Sequence, residues 1–178
     1  MIVFIRINKT GSTSLKNWLE TSKTKFIRHQ YRYGKEKLYE CIKKHKKTHK
    51  FVTVVRNPYS RAVSCWKFLF PDISFLDFLN KDYNTMTKFD QFHVLPQYRF
   101  ITDINDSIDY IDHIGRLEDI KPTMNYIIDN GYHDLKNVDF PNKRQTSHKH
   151  YTKYYNKEIY DIVSTKYRRD IDIFKYEF

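Results

Sequence analysis

The chain has 178 residues, of which 40% are hydrophobic and 30% charged, and it contains only 4 glycines and 5 prolines. These proportions exclude collagen-like, linker-like and intrinsically disordered chains, and a globule of this length buries roughly 70% of its unfolded surface. The net charge of +11 is concentrated in residues 1–60, which carry 15 Lys and Arg against 3 acids. Such a charge fits a polyanionic ligand or a nucleic acid, and charge alone does not separate the two.

Strand-like and helix-like patterns alternate along the chain. Apolar runs predict strands at 2–7 and 51–55, and the segment 110–116 is predicted as a third strand. Helical spacing of apolar residues predicts helices at about 14–22, 35–47, 59–69, 74–80, 90–100 and 119–130, and a last helix capped by Asn156. The alternation predicts an α/β fold with a central, mainly parallel sheet flanked by helices, in a single domain over residues 1–178. Ligands of such sheets bind beyond the carboxyl ends of the strands.

The cysteine content and the hydropathy predict a soluble, cytoplasmic protein. The two cysteines, Cys41 and Cys65, are too few for a disulfide framework and lack the spacing of metal ligands, and one bridge between them is the alternative to two free thiols. The largely apolar segment 1–7 is too short for a signal peptide or a membrane span, and no later apolar run approaches 18 residues.

A polar segment, Asn8-Lys9-Thr10-Gly11-Ser12-Thr13-Ser14, separates the first predicted strand from the first predicted helix. A glycine lets the backbone approach a phosphate, the N–H groups at a helix start donate to it, and a lysine adds positive charge. The segment is not a Walker A loop, because there the lysine follows the second glycine, whereas Lys9 precedes Gly11. An anion-binding loop is therefore expected, and an ordinary strand-to-helix turn is the alternative.

A second polar segment follows the predicted strand 51–55. Arg56 leaves the carboxyl end of that strand, and Ser64 lies about two turns into the next helix. An arginine fork and a hydroxyl suit a phosphate. Because the carboxyl ends of parallel strands meet at one edge of a sheet, both segments are expected at the same edge.

Together the two segments resemble the nucleotide-binding motifs of sulfotransferases that use 3′-phosphoadenosine 5′-phosphosulfate (PAPS). The resemblance is closest to the carbohydrate O-sulfotransferases of the heparan and chondroitin type. It extends, in the same chain order, to His93-Val94-Leu95-Pro96-Gln97, Ile114–Glu118, residues 142–155 and residues 167–174. It implies a P-loop-like, three-layer fold and transfer of a sulfuryl group from PAPS to a hydroxyl, expected on a glycan.

The resemblance also implies roles for individual residues. The 5′-phosphosulfate is expected to bind Lys9, Thr10, Gly11, Ser12, Thr13 and Ser14. The 3′-phosphate is expected to bind Arg56 and Ser64, with Lys143 and Arg144 of the late loop as further candidates. Lys9 is also expected to stabilise charge on the leaving phosphate oxygen, and such a reaction needs no metal.

A base must take the proton of the acceptor hydroxyl, and a histidine of near-neutral pKa suits this role. His29 is the leading candidate, because it follows the first helix as in carbohydrate sulfotransferases that use a histidine. His93 is the second candidate, although positioning of substrate or nucleotide is the role favoured for it, and Glu36 and Glu40 are the carboxylate alternatives. For both histidines, a packing or surface role is the alternative.

Two other functions stay open on the sequence alone. A kinase with a degenerate P-loop is disfavoured by the position of Lys9 and by the lack of clear Mg²⁺-binding carboxylates. A non-enzymatic module for nucleic acid or sulfated polyanions fits the net charge and the 15 tyrosines. That module predicts basic residues spread along an aromatic face, whereas here they cluster around two phosphate-type loops, so nucleic acid is not the expected partner.

Overall fold

The computed structural model describes residues 1–30, 34–141 and 149–178. These residues divide into two compact units, one containing residues 1–55 and 99–141 and the other containing residues 56–98 and 149–178. The chain therefore leaves the first unit after Val55 and returns to it at Arg99. The single domain expected over residues 1–178 stays a prediction.

Strands and helices alternate through the first part of the chain. The elements in chain order are β1 (Ile2–Arg6), α1 (Ser12–Leu19), β2 (Ile27–Gln30), α2 (Gly34–His45), β3 (Lys50–Val55), α3 (Pro58–Leu69), α4 (Phe75–Asn80), α5 (Lys88–Val94), α6 (Tyr98–Ile101), β4 (His113–Arg116), α7 (Lys121–Asp129), α8 (Lys157–Lys166) and α9 (Arg168–Phe174). The cap predicted at Asn156 is confirmed, because its side-chain oxygen accepts a hydrogen bond from the Ile159 N–H at 2.9 Å.

The sheet belongs to the first unit, and its strands have the order β2-β1-β3-β4. All three strand pairs are parallel, which confirms the predicted α/β class. The chain passes from β1 to β2 on one side of it and then to β3 on the other side. Open parallel sheets bind ligands at such a reversal, beyond the carboxyl ends of the strands. The loop that follows β1 therefore lies where a ligand is expected.

One face of the sheet is covered by α1 and α7. Leu15, Trp18 and Leu19 recur at helical spacing, so they lie on one side of α1. They pack with apolar residues of β1, β3 and α7 in one cluster of buried side chains. Trp18 is fully buried, and its Nε1 donates to the Val138 carbonyl at 2.9 Å. This packing holds α1 in place, and with it the loop that precedes the helix.

The second unit is built around α3, which packs against α4, α5 and α8 through a cluster of buried apolar side chains. Asn57 caps the helix, because its Oδ1 accepts hydrogen bonds from the N–H groups of Tyr59 at 2.9 Å and Ser60 at 3.3 Å. Pro58 follows in the first turn, where the missing N–H costs no hydrogen bond. The Asn57-Pro58 pair thus determines where α3 begins, two residues after Arg56.

The structure adds one strand to the predicted elements and corrects two of them. The strand β2 was not predicted at all, and the strand predicted at 110–116 begins only at His113. The helix predicted at 90–100 is interrupted between α5 and α6. Pro96 lacks an N–H donor and disfavours a helical backbone at the residue before it, and Leu95 accordingly leaves the helix with ψ near 140°.

Candidate active site

The loop between β1 and α1 has the backbone of an anion-binding turn. Lys9 (φ 66°) and Gly11 (φ 70°) adopt left-handed conformations, and α1 begins at Ser12. Turns of this kind can line a concavity with N–H groups, and the first N–H groups of a helix lack acceptors within it. The Thr10 hydroxyl donates to the Ile7 carbonyl at 3.1 Å, which holds the turn together. These donors and the positive end of α1 favour a negatively charged ligand.

Position 11 requires glycine for two reasons. Its φ of 70° disfavours a side chain, and a Cβ there would overlap Cδ1 of Leu117. Leu117 follows β4, and its N–H donates to the Val55 carbonyl at 2.8 Å. The glycine therefore allows the loop to pack closely against Leu117, which is hydrogen-bonded to the end of the sheet.

Arg6 is a second cation beside this loop, and the sequence reasoning missed it. Its Nε lies 3.3 Å from Ser12 Oγ, and its Nη2 lies 3.5 Å from Thr13 Oγ1. With Lys9, it brings two positive charges to a loop of hydroxyls, of which Ser12 and Ser14 are buried. The available signal was a cationic residue at the end of an otherwise apolar strand.

His29 follows α1, as expected, but it lies within β2. The strand register pairs His29 with Ile5 of β1 and Ile5 with Thr53 of β3, so the three side chains share a face of the sheet. Only 6% of His29 is exposed, and burial lowers its pKa below the ordinary 6.5. A neutral imidazole of this kind can accept a proton at physiological pH. The first unit thus brings His29 and the loop to the carboxyl end of adjacent strands.

Arg56 lies just before α3, and two serines lie along that helix in the second unit. The Nε and Nη2 of Arg56 donate to Ser60 Oγ at 3.1 and 2.8 Å. Ser64 is buried and lies one turn further along the same side of the helix. Ser60 was not predicted, although its spacing of four residues before Ser64 was a usable signal. A guanidinium fork beside hydroxyl groups fits the oxygen atoms of a phosphate.

His93 lies in the last turn of α5, where its contacts are those of a packed side chain. Its Nδ1 donates to the Phe89 carbonyl at 2.8 Å, because a carbonyl only accepts. Its ring contacts those of Phe68 and Phe89, with centroid distances of 5.3 and 4.4 Å. A catalytic role for His93 stays a prediction.

The remaining predicted site residues lie on a helix surface or outside the described residues. Glu36 and Glu40 are exposed on α2, and Glu40 accepts from Lys37 Nζ at 2.9 Å. Lys143 and Arg144 fall in 142–148, which is outside the described residues.

Three further properties concern residues 1–30, 34–141 and 149–178 only. No three His, Cys, Asp or Glu side chains of this part of the chain group as metal ligands would. No helix in it combines the length and the apolar character of a membrane-crossing segment. Cys41 and Cys65 are both free thiols.

A family model described as the sulfotransferase family matches residues 1–177. No curated protein matches the chain significantly. The family match spans the sheet, the loop after β1 and the α3 segment alike. The chain therefore belongs to the sulfotransferase family, whose members transfer a sulfuryl group from a donor to an acceptor.

Proposed function

We propose that this sulfotransferase takes its sulfuryl group from PAPS and transfers it to a hydroxyl of a carbohydrate. The contact of Arg56 with Ser60 at the start of α3 is the observation that supports PAPS as the donor. A nucleotide with an additional phosphate on its ribose needs an anion site besides the loop that contains Lys9, and the Arg56 fork fits one. The acceptor class rests on the resemblance to the carbohydrate O-sulfotransferases.

The proposed roles follow the two units. In the first unit, the 5′-phosphosulfate binds the loop residues Lys9, Thr10, Gly11, Ser12, Thr13 and Ser14, with Arg6 as an additional cation. In the second unit, the 3′-phosphate binds Arg56, Ser60 and Ser64. Lys143 and Arg144 are proposed as further cations for the 3′-phosphate.

The proposed chemistry is an in-line displacement, in which positioning and charge stabilisation supply most of the rate. The acceptor oxygen forms a bond to sulfur while the bond between sulfur and the 5′-phosphate oxygen breaks. The acceptor proton passes to the imidazole of His29. Lys9 and the N–H groups at the start of α1 stabilise the negative charge that develops on the leaving oxygen.

Calorimetric titration with 3′-phosphoadenosine 5′-phosphate (PAP), the desulfated product, tests the donor. We expect PAP to bind at least about tenfold more tightly than adenosine 5′-phosphate or ATP, because both controls lack the 3′-phosphate that Arg56 would hold. Equal affinities for the three nucleotides would reject PAPS as the donor and favour a general polyanion site. A clear preference for PAP justifies a screen of glycan acceptors with PAPS.

His29→Ala should lower kcat about 10²–10⁴-fold, because the variant lacks the general base, while the Kd for PAP stays nearly unchanged. His133→Ala, which removes an exposed histidine, is the matched control.

In the wild type, burial lowers the pKa of His29 below 6.5. As the pH is lowered, kcat/KM should therefore begin to fall only near that lowered pKa. The same lowered pKa makes the fold lose stability as the pH falls from 6.5 toward the pKa in the folded state. A His29→Ala variant with normal kcat would move the base to His93, Glu36 or Glu40.

A further inference from the structure

The side-chain amide of Gln97 holds both polar groups of the Arg56 backbone. Gln97 Oε1 accepts from the Arg56 N–H at 2.8 Å, and Gln97 Nε2 donates to the Arg56 carbonyl at 2.8 Å. Gln97 is fully buried in the second unit. Two hydrogen bonds from one side chain to one residue fix that residue's rotation as well as its position. Arg56 is thus fixed at the point where the chain leaves β3 and approaches α3.

Gln97 is itself held by a buried carboxylate. Asp170 of α9 has no exposed surface, and its two oxygens accept from the N–H groups of Gln97 at 2.6 Å and Tyr98 at 2.8 Å. Burial raises the pKa of Asp170, and the Arg61 guanidinium and these N–H donors oppose that rise. The carboxylate therefore fixes the turn that carries Gln97.

Arg61 of α3 also holds this segment. Its Nη1 donates to the Leu95 carbonyl at 2.9 Å and its Nη2 to the His93 carbonyl at 3.0 Å, and only 1% of the side chain is exposed. Burying charged groups costs free energy unless hydrogen bonds offset it, and apolar side chains could fill the same space more cheaply. Here the buried charges serve to fix the turn 95–98.

We propose that Gln97 is a positioning residue for Arg56 and through it determines the preference for a 3′-phosphate. The inference rests on the proposed function of Arg56. The Arg56 guanidinium meets Ser60 only if its backbone is correctly placed relative to α3. Gln97 supplies that placement, and Arg61 and Asp170 keep Gln97 rigid.

Gln97→Met tests the inference, because methionine has a similar volume but makes neither hydrogen bond. We expect its affinity for PAP to fall about tenfold or more, while its affinity for adenosine 5′-phosphate changes less than about twofold. Gln97→Glu keeps an acceptor for the Arg56 N–H and loses the donor to the Arg56 carbonyl, so a selective loss in the same direction is expected. The Gln97→Glu variant also decides the question if Gln97→Met does not fold.

Gln91→Met is the matched control, because Gln91 Nε2 donates to two carbonyls of the same unit, Tyr83 at 3.0 Å and Met86 at 3.2 Å. Its ratio of PAP to adenosine 5′-phosphate affinity should equal that of the wild type. A second readout is Gln97→Met in the Arg56→Ala background, where no further loss of PAP affinity is expected. An unchanged ratio in the Gln97 variants, or a full further loss in that background, overturns the inference. A wild type without PAP preference refutes the proposed donor instead.

Discussion

Lys9→Ala is expected to lower kcat for sulfuryl transfer about 10²–10³-fold while the protein stays folded. The lysine lies in the turn before α1, where the backbone donors and the helix dipole also favour negative charge. Its ammonium group matters most when charge develops on the leaving oxygen, so the loss should appear in kcat. Single-turnover rates at saturating PAPS measure this effect directly.

The backbone conformation at Lys9 limits which side chains fit at this position. Its φ of 66° is left-handed, so a second variant, Lys9→Asn, removes the charge with a residue that tolerates this conformation. Lys16→Ala is the control, because Lys16 lies on α1 and pairs with Glu20 at the surface at 2.6 Å. A kcat near that of the wild type in both Lys9 variants would contradict the role of Lys9.

The parts of the fold that the sequence predicts are those with a strong local signal. The apolar residues of β3 and the Leu15, Trp18 and Leu19 spacing of α1 show their periods within a few residues. The loop at 8–14 and the start of α3 carry Gly, Ser, Asn and Pro in positions where backbone chemistry leaves few alternatives. Such local signals can be recognised in the sequence without any knowledge of tertiary contacts.

The parts that the sequence does not predict depend on distant partners. The strand β2 has only four residues, two of them Arg28 and His29, and it lies at the edge of the sheet, so neither length nor alternation reveals it. The role of Gln97 requires a contact with Arg56, 41 positions earlier, and with Asp170, 73 positions later. Sequence spacing contains no sign of such pairs.

Arg6 and Ser60 were missed for a different reason. Both lie next to predicted site residues, but their inclusion depends on where side chains meet. Arg6 meets the hydroxyls of Ser12 and Thr13, and Ser60 meets the guanidinium of Arg56. A sequence motif gives the neighbourhood of such a site, whereas rotamers and the helix face decide which neighbours belong to it.

Arg56→Ala is expected to weaken PAP binding about 10–100-fold and to raise the KM for PAPS, with little change in kcat. The 3′-phosphate keeps its charge throughout the reaction, so Arg56 binds the ground state and the transition state equally well. Arg56→Lys should recover only part of the affinity, because an ammonium group cannot form the two-pronged contact. Initial rates over a range of PAPS concentrations, together with PAP calorimetry, measure both effects.

Arg168→Ala is the control for Arg56→Ala. Arg168 forms an exposed ion pair with Asp172, and exposed ion pairs contribute little to the stability of the fold. The substitutions of Lys9 and Arg56 should then differ in which kinetic parameter they change, as well as in the size of the change. Loss of Lys9 should lower kcat, since the charge on the leaving oxygen grows during transfer, whereas loss of Arg56 should raise KM. If Arg56→Ala instead lowers kcat and leaves PAP affinity intact, Arg56 acts on the transferred group, and the 3′-phosphate must bind elsewhere.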